Sequence, residues 1–368
     1  MHTLVVSDLH LGAAFAIDVL RRPIPRERLA AEIRQADRLV LLGDLLELRE
    51  LPLHQVLKTA LPVLEEIGEG FAGEVIVVPG NHDHHLAAPL LEARRARSRP
   101  APLGLEERVR AGRSGPLAQI ARHLPRAEVS LAYPGVWLRD DVYATHGHYL
   151  DVHMTVPRAE VLGLAFIQRI VGGLPSGGRT PDDYELMLAP LYAFTYQLAQ
   201  ATAPGRAAFG TDFSARVWKQ LNRRRPTFRA RALGGVAIPL AVRALNRAGV
   251  GPFTTNLSPQ SLRTAGLLAL SEVIERLGIE AGWVIHGHTH RAGPLEADDP
   301  AAWRTPGGVR IVNSGNWIYE PSLVGRVPGR SPYSPGGCVV VTDEGPPEVR
   351  RLLRDASLDD VAGPVAEG

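Results

Sequence analysis

Histidines are concentrated in the segment Val-Ile-His-Gly-His-Thr-His at residues 284–290. Histidine is the commonest side-chain metal ligand, and a turn at Gly287 would allow the imidazoles to aim at one point. The apolar residues before them predict a short buried strand. A histidine-rich loop tip in water would show the same pattern, so this cluster alone does not establish a metal site.

Further polar clusters follow other apolar runs, at Ser7-Asp8-Leu9-His10, Gly43-Asp44, Gly80-Asn81-His82-Asp83 and His146-Gly147-His148. Together the clusters supply the candidate residues Asp8, His10, Asp44, Asn81, His82, His146, His288 and His290. Carboxylate, amide and imidazole groups without a thiolate suit divalent Mn, Fe, Co, Ni or Zn. A glycine beside the candidate ligands permits tight turns and a close approach of the backbone.

The elements that must position these clusters are short strands. Strands are predicted by apolar runs at residues 3–6, 39–42, 75–78, 128–133, 136–138, 142–145, 283–285, 309–312 and 339–341. Helical spacing at 26–36 and 53–67 alternates with the first of these runs, which indicates an α/β sheet. In open α/β sheets the chemistry collects beyond the carboxyl ends of the strands.

The region between the later histidine clusters has a different pattern. Thr180-Pro181, followed by two aspartates, has the composition of a helix start. Ser258-Pro259 begins a second predicted helix, which Gly278 ends. We therefore expect a split core of residues 1–150 and 281–355, an inserted, mostly helical cap at 151–280, and a flexible tail at 356–368.

The composition is that of a globular protein, since 45% of the 368 residues are hydrophobic and 22% are charged. The net charge of +2 argues neither for nor against a nucleic-acid partner. Cys338 is the only cysteine, which excludes an internal disulfide or a thiolate metal cage and suits a reducing compartment. The sequence does not open with a secretory signal pattern, so a cytoplasmic location is expected.

The polar clusters resemble the motifs of the calcineurin-like metallophosphoesterase superfamily. The matching motifs are Asp-x-His at 8–10, Gly-Asp at 43–44, Gly-Asn-His-Asp at 80–83, His146, and Gly-His-x-His at 287–290. The resemblance covers about residues 1–85, 142–150 and 283–342, and it implies a four-layer α/β/β/α sandwich. It also implies a phosphoesterase with two divalent ions, with manganese as the expected metal and Fe, Zn, Co or Ni as alternatives.

The resemblance implies a role for each residue in the motifs. One ion would bind to Asp8, His10 and His290. The other would bind to Asn81, His146 and His288, and Asp44 would bridge the two. His82 would contact the phosphoryl group as general acid or transition-state stabiliser, and Asp83 would orient its imidazole.

Closer features are similar to the UDP-2,3-diacylglucosamine pyrophosphatase-like group, which hydrolyses a lipid-bearing nucleotide sugar. They are Ser-Asp-Leu-His-Leu at 7–11, Gly-Asp-Leu-Leu-Glu at 43–47 and His-Gly-His-Thr-His-Arg at 286–291. The chain departs from that group at His82, where the group carries arginine, and in its longer insertions. We expect a phosphate-ester or pyrophosphate substrate that is lipid- or nucleotide-linked, together with peripheral contact at the inner face of the membrane.

Several alternatives stay open at the level of sequence. The chain could be a nuclease of the same superfamily or a non-catalytic metal-binding scaffold. Arg291 and the Arg-rich stretch 94–126 could contact phosphate or serve only surface structure. The turn at 313–317 could line the site or simply pack Trp317, and His148 and His286 could support the ligands or stand apart. The sequence does not predict the oligomeric state.

Overall fold

A computed structural model describes residues 1–14, 17–156, 180–201, 259–325 and 327–363, together with Leu240, Arg243 and Arg247. The chain divides into two compact units. The first comprises residues 1–148, 195–208 and 279–368, and the second comprises residues 149–194 and 209–278. The predicted boundaries of a split core and an inserted cap stay a prediction, and part of the cap, with Ser258, lies outside the described residues.

The first unit is built on a mixed sheet with ten strands among its described residues. The strands are β1 (Thr3–Val6), β2 (Arg38–Leu42), β3 (Glu74–Val78), β4 (Glu106–Arg110), β5 (Glu128–Arg139), β6 (Val142–Thr145), β7 (Trp283–His286), β8 (Arg310–Asn313), β9 (Gly337–Val341) and β10 (Glu348–Arg351). Their order is β10-β9-β1-β2-β3-β5-β6-β7-β8, with β4 paired to β5. The strands β1, β2 and β3 run parallel, as do β6, β7 and β8, so each set directs its carboxyl ends to one edge.

Strand β5 joins the two parallel sets. Its first residues pair with β3 in parallel, and its last residues pair with β6 in the antiparallel sense. The sequence predicts two strands here, separated at Pro134-Gly135. That prediction is wrong because both residues lie inside the strand, where its partner changes from β3 to β6, and a proline is tolerated at such an irregular position.

Both faces of the sheet are apolar, which explains the continuous hydrophobic runs in its strands. Side chains alternate between the faces, so that Leu4 and Val6 join the cluster that also contains helical residues, while Val5 joins the other cluster. The second cluster also contains Val40 and Ile285. The two parallel sets of strands therefore share one apolar core.

Six of the eight described α-helices have a proline in the first turn. Proline suits this position because it has no amide hydrogen that would be left without an acceptor. The helices are α1 (Pro23–Ile33), α2 (Leu53–Gly70), α3 (Ala88–Arg95), α4 (Pro116–Ala121), α5 (Pro181–Gln200), α6 (Pro259–Arg276), α7 (Pro321–Val324) and α8 (Leu358–Ala362). The helix predicted at 26–36 is α1, which begins and ends three residues earlier. The helix predicted at 53–67 is α2, which ends three residues later. Among the described helices, none is long and apolar enough to cross a membrane.

In the second unit, α5 begins as its sequence predicts. The amide and hydroxyl groups of Thr180 each donate to the Asp183 carboxylate, at 3.1 Å. The ring of Tyr184 stacks on Tyr149 with 4.8 Å between the ring centres, and its hydroxyl lies 2.9 Å from Nε2 of His153. These contacts bury the first turns of α5, so the aromatic residues of this segment serve in part as the core of the unit.

Strands β4 and β10 were not predicted, because both are rich in charged residues and lack an apolar pattern. Ion pairs stabilise β4, since Arg108 pairs with Glu74 at 2.8 Å and Arg110 pairs with Glu128 at 2.7 Å. Farther along, Arg126 donates to the carbonyl of Glu69. These arginines of the stretch 94–126 are engaged in surface structure, which gives no support to an anion-binding patch at these positions.

Candidate metal centre

The candidate ligands lie where neighbouring strands end, because parallel strands place their carboxyl ends at one edge. Backbone hydrogen bonds continue past the strands and hold the ligand loops together. The amide of His10 donates to the carbonyl of Asp44 at 2.8 Å. The amide of His82 donates to the Asp44 carboxylate at 2.8 Å. The amide of His288 donates to the Asp8 carboxylate at 3.0 Å.

The first group of converging donor atoms consists of Asp8, His10 and His290, as predicted for one ion. Nε2 of His290 lies 3.2 Å from Oδ1 of Asp8 and 3.3 Å from Nε2 of His10. All three side chains are largely removed from solvent. The group therefore presents two imidazole nitrogens and a carboxylate oxygen to one point.

The second group consists of Asp44, His146 and His288, with the amide of Asn81 beside them. Nε2 of His146 lies 3.2 Å from Oδ2 of Asp44. Oδ1 of Asn81 lies 3.2 Å from Nε2 of His146 and 3.1 Å from Nδ1 of His288. Oδ2 of Asp44 is also 3.7 Å from Nε2 of His10, so this carboxylate lies between the two groups.

The spacing of these donor atoms fits a bound divalent ion. Ligand bonds of 2.0–2.2 Å in tetrahedral or octahedral geometry place neighbouring donor atoms roughly 3.0–3.5 Å apart. The closest separations in the two groups are 3.1–3.3 Å. The donor types, without thiolate, are those preferred by borderline divalent metals.

The amide of Asn81 supports the same conclusion. Its oxygen faces the nitrogens of His146 and His288 and an oxygen of Asp44, and its nitrogen faces the guanidinium of Arg49. Turning the amide over would let its nitrogen donate to all three groups and its oxygen accept from Arg49. In either orientation a polar atom of the Asn81 amide lies 3.1–3.3 Å from His146, His288 and Asp44, so this side chain belongs to the second group.

The buried charges of the site are balanced by imidazoles. Burial raises the pKa of Asp8, but its pairing with His290 outweighs burial and lowers the pKa to about 2, whereas burial keeps the pKa of His290 itself below the ordinary value. Burial lowers the pKa of His146, but the charge and hydrogen bond of Asp44 outweigh it and raise the pKa to about 10. The carboxylates thus stay ionised, and a divalent ion would replace the protons held by the imidazoles.

The backbone of the ligand loops is strained. Within the described ranges, the non-glycine residues with a left-handed φ are Asp8 (+54°), His10 (+45°), Asp44 (+51°), His288 (+63°) and His290 (+58°). Aspartate and histidine tolerate this region better than branched residues do, yet each such residue costs of order 1–3 kcal/mol. All of them are candidate ligands, so the strain is confined to residues that aim donor atoms at the site.

His82 and Glu47 form a third group with His10. Oε2 of Glu47 lies 2.6 Å from Nδ1 of His82 and 2.9 Å from Nδ1 of His10. Both distances are those of hydrogen bonds. The sequence places Glu47 in the motif at 43–47, but its role there was missed because only the fold brings it to both histidines.

The carboxylate of Asp83, which the resemblance assigns to His82, contacts backbone amides in the structure. Its carboxylate accepts hydrogen bonds from the backbone amides of Gly80, Asp44, Leu45 and Leu46. Those bonds occupy both oxygens and hold the Gly-Asp turn of β2 against the loop after β3. Asp83 therefore shapes the backbone around the ligands, and the imidazole of His82 is held by Glu47 instead.

The turn at 313–317 supports the ligand loops from behind. Nδ2 of Asn313 donates to the carbonyl of Gly287 at 3.0 Å, and Nδ2 of Asn316 donates to the carbonyl of His290. The backbone amide of Trp317 donates to the carbonyl of Asp8 at 2.9 Å. The Trp317 side chain is fully buried. The turn thus both packs a tryptophan and fixes the backbone of two ligands.

The remaining polar residues lie outside the ligand groups. His286 and His148 are buried, with His286 beside the amide of Asn313 and His148 at 3.2 Å from the Tyr133 hydroxyl. Arg291 pairs with Asp298 and lies over the ring of Trp303, so it caps its own loop. Arg49, which the sequence did not single out, places Nη1 3.3 Å from Nε2 of His82.

Gly43 offers a test of the close packing at the second group. A Cβ atom at Gly43 would overlap the ring of His146, and its φ of +82° disfavours any other residue. Gly43→Ala should therefore displace His146 and lower the bound metal per chain, measured by elemental analysis after dialysis against Mn²⁺. Gly345 is the matched control, because its φ is +80° and a Cβ there meets nothing within 4 Å.

Gly345→Ala should cost only the backbone strain, roughly 1–2 kcal/mol in a urea unfolding curve, and should keep the metal content of the wild type. An unchanged metal content in a folded Gly43→Ala protein would contradict the assigned position of His146.

Comparison with known proteins agrees with the geometry of the site. Residues 1–182 match the family model described as calcineurin-like phosphoesterase. The matched range includes Asp8, His10, Asp44, Asn81 and His146, whereas His288 and His290 lie beyond it. None of the curated proteins matches the chain. The match supports the calcineurin-like phosphoesterase superfamily for this region and implies a hydrolase that acts on phosphoester bonds.

Proposed function

We propose that the chain is a metallophosphoesterase that binds two divalent ions and hydrolyses a phosphate ester or pyrophosphate bond. The observation that supports this most directly is the carboxylate of Asp44, which lies between two groups of donor atoms with the spacing of metal ligands. Asp8, His10 and His290 would hold one ion, and Asn81, His146 and His288 the other. We propose manganese as the native metal, with Fe, Zn, Co or Ni as alternatives.

When bound, the two ions would supply Lewis acidity to the phosphoryl group and to the attacking water. The chain supplies the other parts of the reaction. As the water oxygen attacks phosphorus and releases a proton to solvent, the ester bond breaks and its electron pair goes to the leaving oxygen. Nε2 of His82 would give a proton to that oxygen. The guanidinium of Arg49, beside His82, would pair with phosphoryl oxygens.

For the fold we propose a four-layer sandwich, supported by the apolar core that the two parallel sets of strands share. We propose residues 151–280 as an inserted helical cap on a core of residues 1–150 and 281–355.

For the substrate we propose a lipid- or nucleotide-linked phosphate, cleaved by a cytoplasmic enzyme with peripheral contact at the membrane. The motifs at 7–11, 43–47 and 286–291, which are similar to those of enzymes that act on a lipid-bearing nucleotide sugar, support this substrate class.

The two alternative functions have less support. A nuclease would be expected to present unpaired arginines to a phosphate backbone, whereas Arg108 and Arg110 are paired with glutamates. A binding scaffold would not need His82 and Arg49 beside the ligand groups. The hydrolase therefore accounts for more of the site than either alternative.

The first test of the proposal is metal dependence. The purified protein should hydrolyse p-nitrophenyl phosphate or bis(p-nitrophenyl) phosphate, lose the activity with a chelator and regain it with Mn²⁺. Asp44→Asn should lower the metal content from two ions per chain, because the bridging charge is lost. Asp18→Asn, at another buried aspartate, should keep both ions. If the protein binds metal but hydrolyses no ester in a broad phosphate-ester panel, the proposed enzymatic function is contradicted.

A second test separates the proton donor from the ligands. His82→Gln should keep both ions and lose roughly 10²-fold in kcat, the scale of one general acid. His123→Gln, at a histidine that faces Glu65 on the surface, should leave both quantities unchanged. Arg49→Met should keep the ions and raise KM. If His82→Gln loses metal as Asp44→Asn does, His82 is a ligand and its assignment as proton donor is wrong.

The substrate class is tested with matched substrates. A UDP-linked diacylated sugar should give a kcat/KM at least tenfold above that of the unacylated UDP-sugar, because each buried methylene contributes about 0.8 kcal/mol. Equal rates for both substrates, or a preference for the unacylated one, would contradict a lipid-linked substrate and leave the metal chemistry intact.

A further inference from the structure

Three arginines in the loop after α3 are exposed and unpaired. The chain reads Arg-Arg-Ala-Arg-Ser-Arg at 94–99, and Arg95, Arg97 and Arg99 are exposed to solvent. Among the residues that the structure describes, no carboxylate forms an ion pair with any of the three. The arginines of β4 differ in this respect, because they are paired with glutamates. Three guanidinium groups therefore remain available to an anionic partner.

The loop that carries these arginines is anchored at both ends. Leu91 and Leu103, on either side of it, are buried in the apolar core. Arg94, the first arginine of the run, is buried, and its guanidinium donates to the carbonyl of Ala101, which closes the loop. Pro100 restricts the backbone further. One arginine thus fixes the loop, and the other three lie on a segment that is held at the surface.

The loop concentrates positive charge in a chain that is nearly neutral. Residues 93–105 contain four arginines and no acidic residue, whereas the whole chain carries a net charge of +2. Exposed charges separated by more than about 8 Å are largely screened at physiological ionic strength. A charged surface in contact with the loop would therefore interact with the arginines of the loop rather than with the net charge of the chain.

We propose that the loop at 95–101 binds the surface of an anionic lipid bilayer. Clusters of exposed basic residues bind acidic head groups through charge, without contacts to one particular lipid. The side chains between the arginines, Ala96 and Ser98, are small, so they leave room for the guanidinium groups to approach a flat surface. None of the exposed large hydrophobic residues in the described chain lies within this loop, so the contact is electrostatic.

Two other kinds of partner fit the loop less well. The chain has no Phe, Tyr or Trp between residues 86 and 132, so the loop lacks the aromatic side chains on which single-stranded nucleic acids stack. Proteins that bind a DNA duplex commonly neutralise roughly 6–10 phosphates, which is more than three arginines supply. A protein partner would be expected to meet an aromatic anchor as well. A bilayer surface requires only positive charge.

The position of the loop suits a substrate that resides in a bilayer. The loop follows the motif at 80–83 after a short turn at 84–87 and α3, a helix of eight residues. A helix of that length extends only about 12 Å, so a bilayer bound at the loop would lie near the metal centre. The choice of a bilayer rests on the proposed function, whose substrate is lipid-linked, but the binding itself does not require the metal ions.

The test measures sedimentation of the full chain with vesicles, in the absence of metal and substrate. We expect binding to vesicles of phosphatidylglycerol mixed with phosphatidylcholine, and no binding to phosphatidylcholine alone. The triple variant Arg95→Gln, Arg97→Gln, Arg99→Gln should bind the anionic vesicles roughly 10²-fold more weakly, because each arginine at such a surface contributes about fivefold. Added NaCl should weaken the binding of the wild type.

Matched variants separate the charge of the loop from its structure and from the charge of the whole chain. Lysine at the same three positions keeps the charge and should bind within about threefold of the wild type. Arg34→Gln with Arg304→Gln and Arg354→Gln removes three exposed arginines elsewhere and should also bind within about threefold. If the triple glutamine variant of the loop fails to fold, Arg97→Gln alone should still lose about fivefold.

Three results would overturn the proposal. They are no binding of the wild type to anionic vesicles, an equal loss in the glutamine variants of the loop and of the control positions, or binding to a DNA duplex without binding to vesicles. Hydrolysis decides the proposed function separately. If the chain binds vesicles through the loop but hydrolyses no phosphate ester, the proposed function fails and the role of the loop stands. If it hydrolyses esters but binds no vesicles, only the role of the loop fails.

Discussion

The attraction between two buried carboxylates and the positive charge that accompanies them is the constraint on which the site depends. Asp8 and Asp44 are fully removed from water, yet their pKa values lie below the ordinary value, because burial is outweighed by neighbouring imidazoles, His290 for Asp8 and His146 for Asp44. An isolated buried carboxylate would neutralise itself instead. The positive charge must therefore be present, either as protons on the imidazoles or as divalent ions in their place.

The same constraint explains the strained backbone. Left-handed φ values at Asp8, Asp44 and His288 turn the chain sharply after β1, β2 and β7, so that side chains from separate strands reach one small volume. This strain persists only because other contacts fix the loops. Asp83 binds the amides after β2, and the turn at 313–317 binds the loop after β7. The polar residues around the ligands thus stabilise a backbone that would otherwise relax.

Much of this could be predicted from local sequence. Apolar runs that end in Asp8, Asp44 and Asn81 predict parallel strands, and the geometry of a parallel sheet then brings the three side chains together. The links made across long stretches of chain could not be predicted. The contact of Glu47 with His10 and His82 joins residues 35 or more positions apart, and the motif at 80–83 favours the adjacent Asp83 for this task.

The strands of the sheet also differ in how far local sequence predicts them. Strand β4 is rich in charged residues and is recognisable only through its pairing with β5 and its ion pairs with Glu74 and Glu128. In β5, Pro134-Gly135 mark a local break in the pattern, yet the strand continues because different neighbours pair with its two ends. Pairing partners, rather than local preferences, determine these elements.

The central claim is that Asp44 lies between two metal ions. Anomalous diffraction from crystals grown with Mn²⁺, recorded on both sides of the manganese absorption edge, tests it most directly. The account predicts two peaks about 3.5–4 Å apart, one beside Asp8 and His10, the other beside Asn81 and His146, with Asp44 in contact with both. A single peak away from Asp44, or a peak bound to Glu47, would contradict it.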